Sequence, residues 1–347
     1  MATKTKPGER EVHFMFFLFT GGTELAKIPG LSYAGTNPEV VPLTAPADAD
    51  VIQYGFPKTI DRFPMDPEGH PTPAIITRAA ILEAEIPYCV VKAGTYLPPS
   101  PPYVELGADF GKNPCREPAV PDAAGIFERA KCFAESTARH HRSLMLAETV
   151  PGGTTTALLA LRAMGYDDMV SSAGPGNPTA LKEKMWRLTS ERIGIEMGDL
   201  SDDPIRIITE MGDPVQAAIL GFISGLPEDC DITLAGGTQM LAVAAMLQRL
   251  DEKRKPLVAT TIYVARDASS SFTKLADKLG VKTWIAPLDF SQSPYKGLSD
   301  YEKGYIKEGV GAGGAVLYAQ TQGVPVERIV SRANALYSEI EEKARRG

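Results

Sequence analysis

The chain has 347 residues, with 36 Lys and Arg against 43 Asp and Glu, a net charge of −7 and 44% hydrophobic residues. That length supports one large α/β unit or two modest ones, and the acidic balance excludes a protein that coats nucleic acid through a basic surface. The longest apolar runs, Met240–Leu247 and Phe14–Phe19, fall far short of the ~20 residues of a membrane span.

Met1–Glu11 is charged, leads into a short apolar strand and carries no cleavage-site pattern, so no signal peptide is expected and the expected location is cytoplasmic. The first strand is read over Val12–Phe19 and is closed by Thr20-Gly21-Gly22-Thr23. Pro29–Pro73 follows as a loop-rich stretch with Asn-Pro, Phe-Pro, Asp-Pro and Thr-Pro steps. A helix is predicted over Ala74–Ala84, a strand over Ile86–Lys92, and a second irregular, proline-rich stretch over Leu97–Pro121. Next come a helix at Gly125–Ala138, a strand at Ser143–Ala147, and helices at Thr155–Met164 and Ala180–Leu188. The pattern continues with a strand at Ile205–Ile208, a helix at Pro214–Gly225, a strand at Asp231–Leu234, a helix at Gln239–Leu250 and a strand at Pro256–Val264. Two helices end the chain, Gly311–Gln322 and the charged, amphipathic Val326–Arg346. This alternation predicts an α/β fold with a mainly parallel, doubly wound (Rossmann-like) sheet and helices on both faces. We expect a large α/β domain over about 70–295 and a smaller, more helical lobe built from about 1–69 and 296–347.

The 32 Gly and 28 Pro exceed the usual share, and the glycines recur at predicted strand ends. Glu148-Thr-Val-Pro-Gly152-Gly153-Thr154-Thr155-Thr156 follows the strand Ser143–Ala147 and opens a helix. Glycine lets a backbone approach a ligand closely, and the free amides of a helix start, with threonine hydroxyls, suit a phosphate or carboxylate. A plain strand–helix turn with Thr caps is the structural alternative. Ala235-Gly236-Gly237-Thr238-Gln239 repeats the pattern after Asp231–Leu234, Met211-Gly212-Asp213-Pro214 after Ile205–Thr209, and Thr20–Thr23 after the first strand. Four such turns would meet at one edge of a parallel sheet, beyond the C-terminal strand ends where ligands bind. Glu308-Gly309-Val310-Gly311-Ala312-Gly313-Gly314 differs, because no strand precedes it. Gly309, Gly311 and Gly314 formally satisfy GxGxxG, but the βαβ context of a dinucleotide fingerprint is missing. The segment reads as a flexible helix start or as a loop that carries Glu308 to a ligand, where a carboxylate is a usable general base.

Neither GxxxxGK[ST] nor GxSxG occurs. Thr20–Thr23 is similar to the tail of the loop that binds phosphoribosyl pyrophosphate, but Met15, Phe16, Phe17 and Leu18 stand where that loop needs two acids. Cys89, Cys115, Cys132 and Cys230 form no CxxC pair, so neither a zinc site nor a disulfide framework is expected. His140 and His141 are neighbours whose side chains point apart on most backbones, and no metal or cofactor is expected. Lys182-Glu183-Lys184 and Glu341–Arg346 read as solvated helix faces.

In order along the chain, Glu148 to Thr156, Met211 to Pro214, Ala235 to Met240 and Lys307 to Gly314 resemble an archaeal and cyanobacterial family related to nicotinate-nucleotide–dimethylbenzimidazole phosphoribosyltransferase (CobT). Ile28 to Gly35 and Pro71 to Arg78 are similar as well, so the likeness covers nearly the whole of 1–347 as a single CobT-like unit. The resemblance implies transfer of phosphoribose from nicotinate mononucleotide to a benzimidazole or purine base, giving an α-ribotide and nicotinate for the cobamide lower ligand. The bacterial motif Gly-Glu-Gly-Ser-Gly-Ala falls on Lys307-Glu308-Gly309-Val310-Gly311-Ala312, which implies Glu308 as the catalytic base, with departures at Lys307 and Val310. The bacterial Glu-Met-Gly-Ile-Gly-Asn-Thr-Thr falls on Glu148 to Thr155 and matches Glu148, Gly152, Thr154 and Thr155. It implies Glu148 as a second catalytic residue that stabilises the oxocarbenium or positions the acceptor. Around Glu210-Met211-Gly212-Asp213 an acid replaces the bacterial lysine.

Gly152, Gly153, Thr154, Thr155, Gly212, Asp213, Gly236, Gly237, Thr238, Gly309, Gly311 and Gly313 would then contact the substrate and its phosphate. The resemblance also implies a homodimer acting on small molecules, with neither nucleic acid nor membrane as partner. Two alternatives stand beside it. One is a non-catalytic nucleotide or cobamide-precursor binder, motivated by Glu210; the other is an NAD-type dehydrogenase, motivated by the late GxGxxG.

Overall fold

Short apolar runs become strands where both of their faces can be covered. The structure, a computed structural model, describes residues 14–251 and 253–346; Val12, His13 and the charged segment before them lie outside these. The strands are β1 (Phe14–Thr20), β2 (Tyr88–Lys92), β3 (Tyr103–Glu105), β4 (Ser143–Thr149), β5 (Asp231–Ala235), β6 (Leu257–Thr261) and β7 (Thr283–Ala286). They pair in parallel throughout, in the order β3-β2-β1-β4-β5-β6-β7. The order reverses between β1 and β4, whose register runs from Phe14 opposite Ser143 to Thr20 opposite Thr149. In doubly wound sheets such a reversal is where ligands settle.

Thirteen α-helices surround the sheet among the described residues. They are α1 (Thr44–Tyr54), α2 (Ala74–Ala84), α3 (Ala123–Thr137), α4 (Gly153–Ala163), α5 (Thr179–Ile193), α6 (Pro204–Met211) and α7 (Pro214–Ser224). Beyond these lie α8 (Thr238–Leu250), α9 (Ile262–Ala265), α10 (Phe272–Leu279), α11 (Lys296–Ser299), α12 (Ala312–Thr321) and α13 (Val326–Arg346). Successive strand residues point to opposite faces. Phe17 and Phe19 of β1 therefore enter the core under α3, α4, α7 and α8. Phe16 and Leu18 enter the core under α1, α2, α12 and α13. No helix among the described residues is long and apolar enough to cross a membrane.

Several expectations are corrected. Ile205–Ile208 is not a strand but part of α6, because Asp203 caps the segment and Pro204 occupies its first turn, where a missing amide costs nothing. The loop-rich Pro29–Pro73 contains α1, which tolerates Pro46 for the same reason. β1 falls in the 1–69 stretch expected in the smaller lobe, yet it sits third in the sheet because it is apolar on both faces. What the two chain ends do share is a helical layer in which α1, α12 and α13 gather around α2.

α12 runs close to β6. A Cβ on Gly313 would meet the Thr260 backbone at 2.3 Å. Gly313→Ala is therefore expected to destabilise the fold by about 1–3 kcal/mol through overpacking. Urea unfolding should show a lower midpoint with an unchanged slope.

Candidate functional site

A cleft open to solvent lies beyond the ends of β4, β5 and β6, where ligands of parallel sheets bind. Leu31, Tyr33, Met65, Val264 and Ile306 give it apolar lining, and Asp48, Glu148, Ser171, Ser172 and Glu308 give it polar groups. Two helices open onto it. The opening amides of a helix have no intrahelical acceptor, and Gly152, Thr154, Gly237, Thr238 and Gln239 place the starts of α4 and α8 in the cleft wall. Neither start is closed by a side-chain cap. Gly152 adopts a φ of +85°, and a Cβ there would meet the Thr23 side chain at 2.8 Å, so glycine is required on both counts.

Glu308 is held from four directions. Oε2 accepts from the Thr261 amide at 2.8 Å and the Thr260 hydroxyl at 3.2 Å. Oε1 accepts from the amides of Gly309 and Gly313, each at 3.2 Å. Burial pushes its carboxyl up to about 7, against the pull of these donors. The loop around it is strained: Ile306 and Val310 have φ of +48° and +55°, which β-branched residues rarely adopt. Three hydrogen bonds impose that shape, from the Ile306 amide to Ala173 O (2.7 Å), from the Val310 amide to Glu148 O (3.0 Å) and from the Thr77 hydroxyl to Val310 O (3.0 Å). The GxGxxG segment thus opens α12 with Glu308 on two of its amides, which leaves them closed to a dinucleotide pyrophosphate.

Glu148 ends β4 with its neighbour Thr149. Its Oε2 accepts from Gln239 Nε2 at 3.2 Å, while Oε1 is buried with no hydrogen-bond partner. Burial, reinforced by the charges of Asp213, Glu308 and Asp48, pushes the carboxyl up to about 8. Asp48 projects from α1, a helix missing from the sequence reading. It accepts from the hydroxyls of Thr72 and Thr149, each at 2.7 Å, and burial lifts it to about 7. The signal that could have found it is an Asp among the apolar positions of Ala45–Ile52, since a buried acid needs partners.

Residues 171–173 form a further wall, and two buried lysines anchor the loop that they begin. Lys182 was expected on a solvated face, yet it is fully buried and donates to Ser171 O (2.7 Å) and Asn177 Oδ1 (2.9 Å). Its place in the first turn of α5 points it inward, under the loop. Burial and the charge of Lys307 lower it to about 7. Lys307 donates to Gly174 O and pairs with Asp267, both at 2.9 Å.

Of the expected contact residues, Gly152, Thr154, Gly237, Thr238 and Gly309 line the cleft with Glu148 and Glu308. Gly153, Thr155, Gly236, Gly311 and Gly313 lie behind its surface. Gly236 would bring a Cβ to 3.4 Å from Glu148 Oε1, and Gly311 packs on Ala147 and Phe16. Thr155 is buried with its hydroxyl unpartnered. Gly212 and Asp213 are neither at a strand end nor in the cleft lining. Asp213 closes α7 with a full capping box to Gln216 and accepts from the Thr156 hydroxyl at 2.6 Å. Glu210, at the bacterial lysine position, pairs with Arg192 at 2.8 Å and does not line the cleft either. Thr20–Thr23 is a packing turn in which Gly21 abuts Val215 and Gly22 abuts Phe110.

Asp66, Glu68 and His70 place three metal-type ligand atoms within 4.8 Å of one another. Both ring nitrogens of His70 are already engaged, Nδ1 with Asp66 at 2.6 Å and Nε2 with Asp300 at 3.2 Å. The group ties residues 64–72, part of the cleft wall, to residues 296–305.

No protein-family model matches the chain. A UPF0284 protein of Thermococcus kodakarensis is 46% identical over 328 residues, 94% of this chain and 97% of that one. The UPF0284 protein of Pyrococcus furiosus is 46% identical over 328 residues, 94% and 98% of the two chains. That of Methanothermobacter thermautotrophicus is 36% identical over 335 residues, 94% and 93%. Among solved structures, the nicotinate-nucleotide–dimethylbenzimidazole phosphoribosyltransferase of Thermus thermophilus is similar with a TM-score of 0.54 and 16% identity, covering 93% of this chain and 82% of that chain. A crystal structure of CobT from the same organism gives a TM-score of 0.57 and 15% identity, with 93% and 84% covered. At such identities the likeness is one of fold.

Proposed function

This chain belongs to the UPF0284 family and shares its fold with the CobT crystal structures, and from that premise we propose that it transfers phosphoribose from nicotinate mononucleotide to a benzimidazole or purine base. The products are an α-ribotide for the cobamide lower ligand and nicotinate. One observation carries the reading: the buried carboxylate of Glu148 and the half-buried one of Glu308 share a cleft with the uncapped starts of α4 and α8. The Gly153, Thr155 and Met240 amides already bond Val150 O, Gly152 O and Gly237 O, so the amides of Thr154, Thr238 and Gln239, with the hydroxyls of Thr154 and Thr238, are the donors for a 5′-phosphate. Burial keeps Asp48, Glu148 and Glu308 partly protonated near neutral pH, so the cleft repels an anion less than three ionised acids would. The apolar lining accommodates a flat ring. The donor's pyridinium leaves as a neutral pyridine, which requires no charge neutralisation. The expected homodimer and cytoplasmic location belong to the same reading.

Incubation with nicotinate mononucleotide and a panel of benzimidazoles and purines is expected to give an α-ribotide detectable by mass spectrometry. Folded protein that yields no such product with any base overturns the proposal.

A further inference from the structure

We propose that Thr260 is a positioning residue for Glu308, whose carboxyl it serves in both the ionised and the protonated form. The role rests on the phosphoribosyl-transfer reading above, with Glu308 as the base that takes the acceptor's ring proton. Glu308 lines the cleft and is half-buried. Four donors hold its carboxylate: the amides of Thr261, Gly309 and Gly313 and the hydroxyl of Thr260. The three amides give a hydrogen bond and cannot accept one, so they favour the ionised form alone. A base must also hold the proton it has taken. The resulting O–H calls for an acceptor, and a hydroxyl is donor and acceptor at once. Thr260 Oγ1, 3.2 Å from Oε2, is the one group of the four that can turn from giving to accepting.

The fold leaves this hydroxyl to Glu308. Thr260 lies in β6, is completely buried, and has no other side-chain hydrogen bond among the described residues. Gly313 lets the start of α12 rest on it, since a Cβ there would meet the Thr260 backbone at 2.3 Å, and the same Gly313 gives its amide to Oε1. Thr261 donates its hydroxyl to Lys307 O and so fixes the residue before Glu308. Burial raises the proton affinity of Glu308, and the three amides and the Thr260 hydroxyl draw it back. The other ionisable groups of the cleft wall are Glu148 on β4, Asp48 on α1, Asp66, Tyr33 and Lys307, and Lys307 is turned to Asp267 and Gly174 O. Among the described residues, Thr260 is the only side chain hydrogen-bonded to Glu308.

In the transfer step, a lone pair on the acceptor's unprotonated ring nitrogen forms the new bond to the anomeric carbon. The bond from that carbon to the nicotinate nitrogen breaks, and its pair returns to the pyridine ring. The proton on the acceptor's other nitrogen moves to the Glu308 carboxylate and is later released to solvent.

Single-turnover transfer from nicotinate mononucleotide to benzimidazole should be measured from pH 5.5 to 9 for the wild type, Thr260→Val, Thr260→Ser and Glu308→Gln. The wild-type rate is expected to rise with pH as Glu308 ionises, and Glu308→Gln should lose that limb. Val keeps the branched shape of Thr without its hydroxyl. A hydrogen bond to a charged group outweighs one to a neutral group, so Thr260→Val should move the limb up by about one pH unit. Its rate is then about tenfold low at pH 6 and close to wild type at pH 9, with nicotinate mononucleotide binding within a few-fold of wild type. Thr260→Ser, which keeps the hydroxyl, should restore the wild-type midpoint. A Thr260→Val limb within about 0.3 pH unit of wild type, a roughly twofold rate difference, overturns the role. So does a loss of the same factor at every pH, the mark of a merely structural residue. A Thr260→Ser limb displaced as far as that of Thr260→Val overturns it too, because packing and not the hydroxyl would then set the midpoint. If Thr260→Val fails to fold, Thr260→Cys decides in the same way, since a thiol is a weak donor. A rising limb that survives in Glu308→Gln removes Glu308 as the base, and this role with it, while transfer itself stands. A wild type that makes no product overturns the phosphoribosyl-transfer reading, and this role with it.

Discussion

Lys307→Met is expected to destabilise the protein by about 3–5 kcal/mol, the usual cost of removing one partner from a buried ion pair. Lys307 and Asp267 are 4% and 6% exposed and lie 2.9 Å apart, so neither charge is hydrated if the other is lost. Burial pushes the Asp267 carboxyl up, but Ser269 and Lys307 outweigh it and hold it below its ordinary value. Without the ammonium, Asp267 keeps only the hydroxyls of Ser171 and Ser269 and the Ser269 amide, and Gly174 O loses its donor. Lys182 stands close enough for Lys307 to depress its basicity, but its ammonium is committed to Ser171 O and Asn177 Oδ1. Urea unfolding of Lys307→Met, Asp267→Leu and the double variant measures the pair directly. The double variant should recover much of the loss, because burying two apolar groups is less costly than burying one unpaired charge. Since these bonds also hold the loop that supplies residues 171–173 of the cleft wall, Lys307→Met should, under the proposed phosphoribosyl transfer, weaken nicotinate mononucleotide binding as well. A loss below about 1 kcal/mol, the range of solvated pairs, would show that water reaches the pair.

The parts of this arrangement that the sequence disclosed share one property: their determinants are local. α2 and α13 have the predicted bounds, and α7 starts at the predicted residue, because a Pro stands at or just before each start, Pro73, Pro325 and Pro214 respectively, ahead of an apolar or amphipathic run. β1 and β4 are buried on both faces over most of their length and carry the unbroken apolar runs Phe14–Phe19 and Leu144–Ala147, whereas β5 buries Ile232 and Leu234 in alternation with Asp231 and Thr233. The same rule misled at residues 205–208, where the β-branched Ile205-Arg-Ile-Ile run outweighed the Asp203-Pro204 start signal. In the cleft, the glycines after β4 and β5 were legible because strand ends of a parallel sheet converge. Asp48, Tyr33 and residues 171–173 were not. They reach the cleft from segments far apart in the chain, and no spacing rule connects Asp48 to Thr149 or Lys307 to Gly174. Asp213 shows the converse limit: the glycine-acid pattern was visible, but whether the acid faced a ligand or capped a helix depended on whether a strand or a helix preceded it.

Stability is expected to fall by at least about 3 kcal/mol as pH rises from 5 to 7. Three buried acids and the half-buried Glu308 have folded-state values above the ordinary ones: Asp213 at about 6, Asp48 and Glu308 at about 7, and Glu148 at about 8, chiefly through desolvation. Between their ordinary range near 4 and these values, the folded protein holds protons that the unfolded chain has released. Stability then decreases with increasing pH, since the slope follows the protons bound in the unfolded state minus those in the native state. Carboxyls held low, such as Asp300 and Asp267, lose their contribution only as pH falls below about 4, so they do not enter this window. Lys182, lowered to about 7, acts in the opposite sense from there to its ordinary value and should flatten the decline above pH 7. Urea unfolding at pH 5, 6, 7 and 8 gives the slope directly, and Asp48→Asn should reduce it by about one proton's worth, roughly 1.4 kcal/mol per pH unit at most. A flat profile would mean that water or a counter-charge reaches the acids. The slope also bears on function. Under the proposed function, an anionic phosphate in the cleft would raise the proton affinity of the neighbouring carboxyls further, so nicotinate mononucleotide is expected to bind with proton uptake at pH 7 to 8, and calorimetry in buffers of different ionisation enthalpy would count those protons. Asp48, Glu148 and Glu308, three of the acids that lower stability above pH 5, are thus also the groups whose charge a cleft-bound anion would adjust.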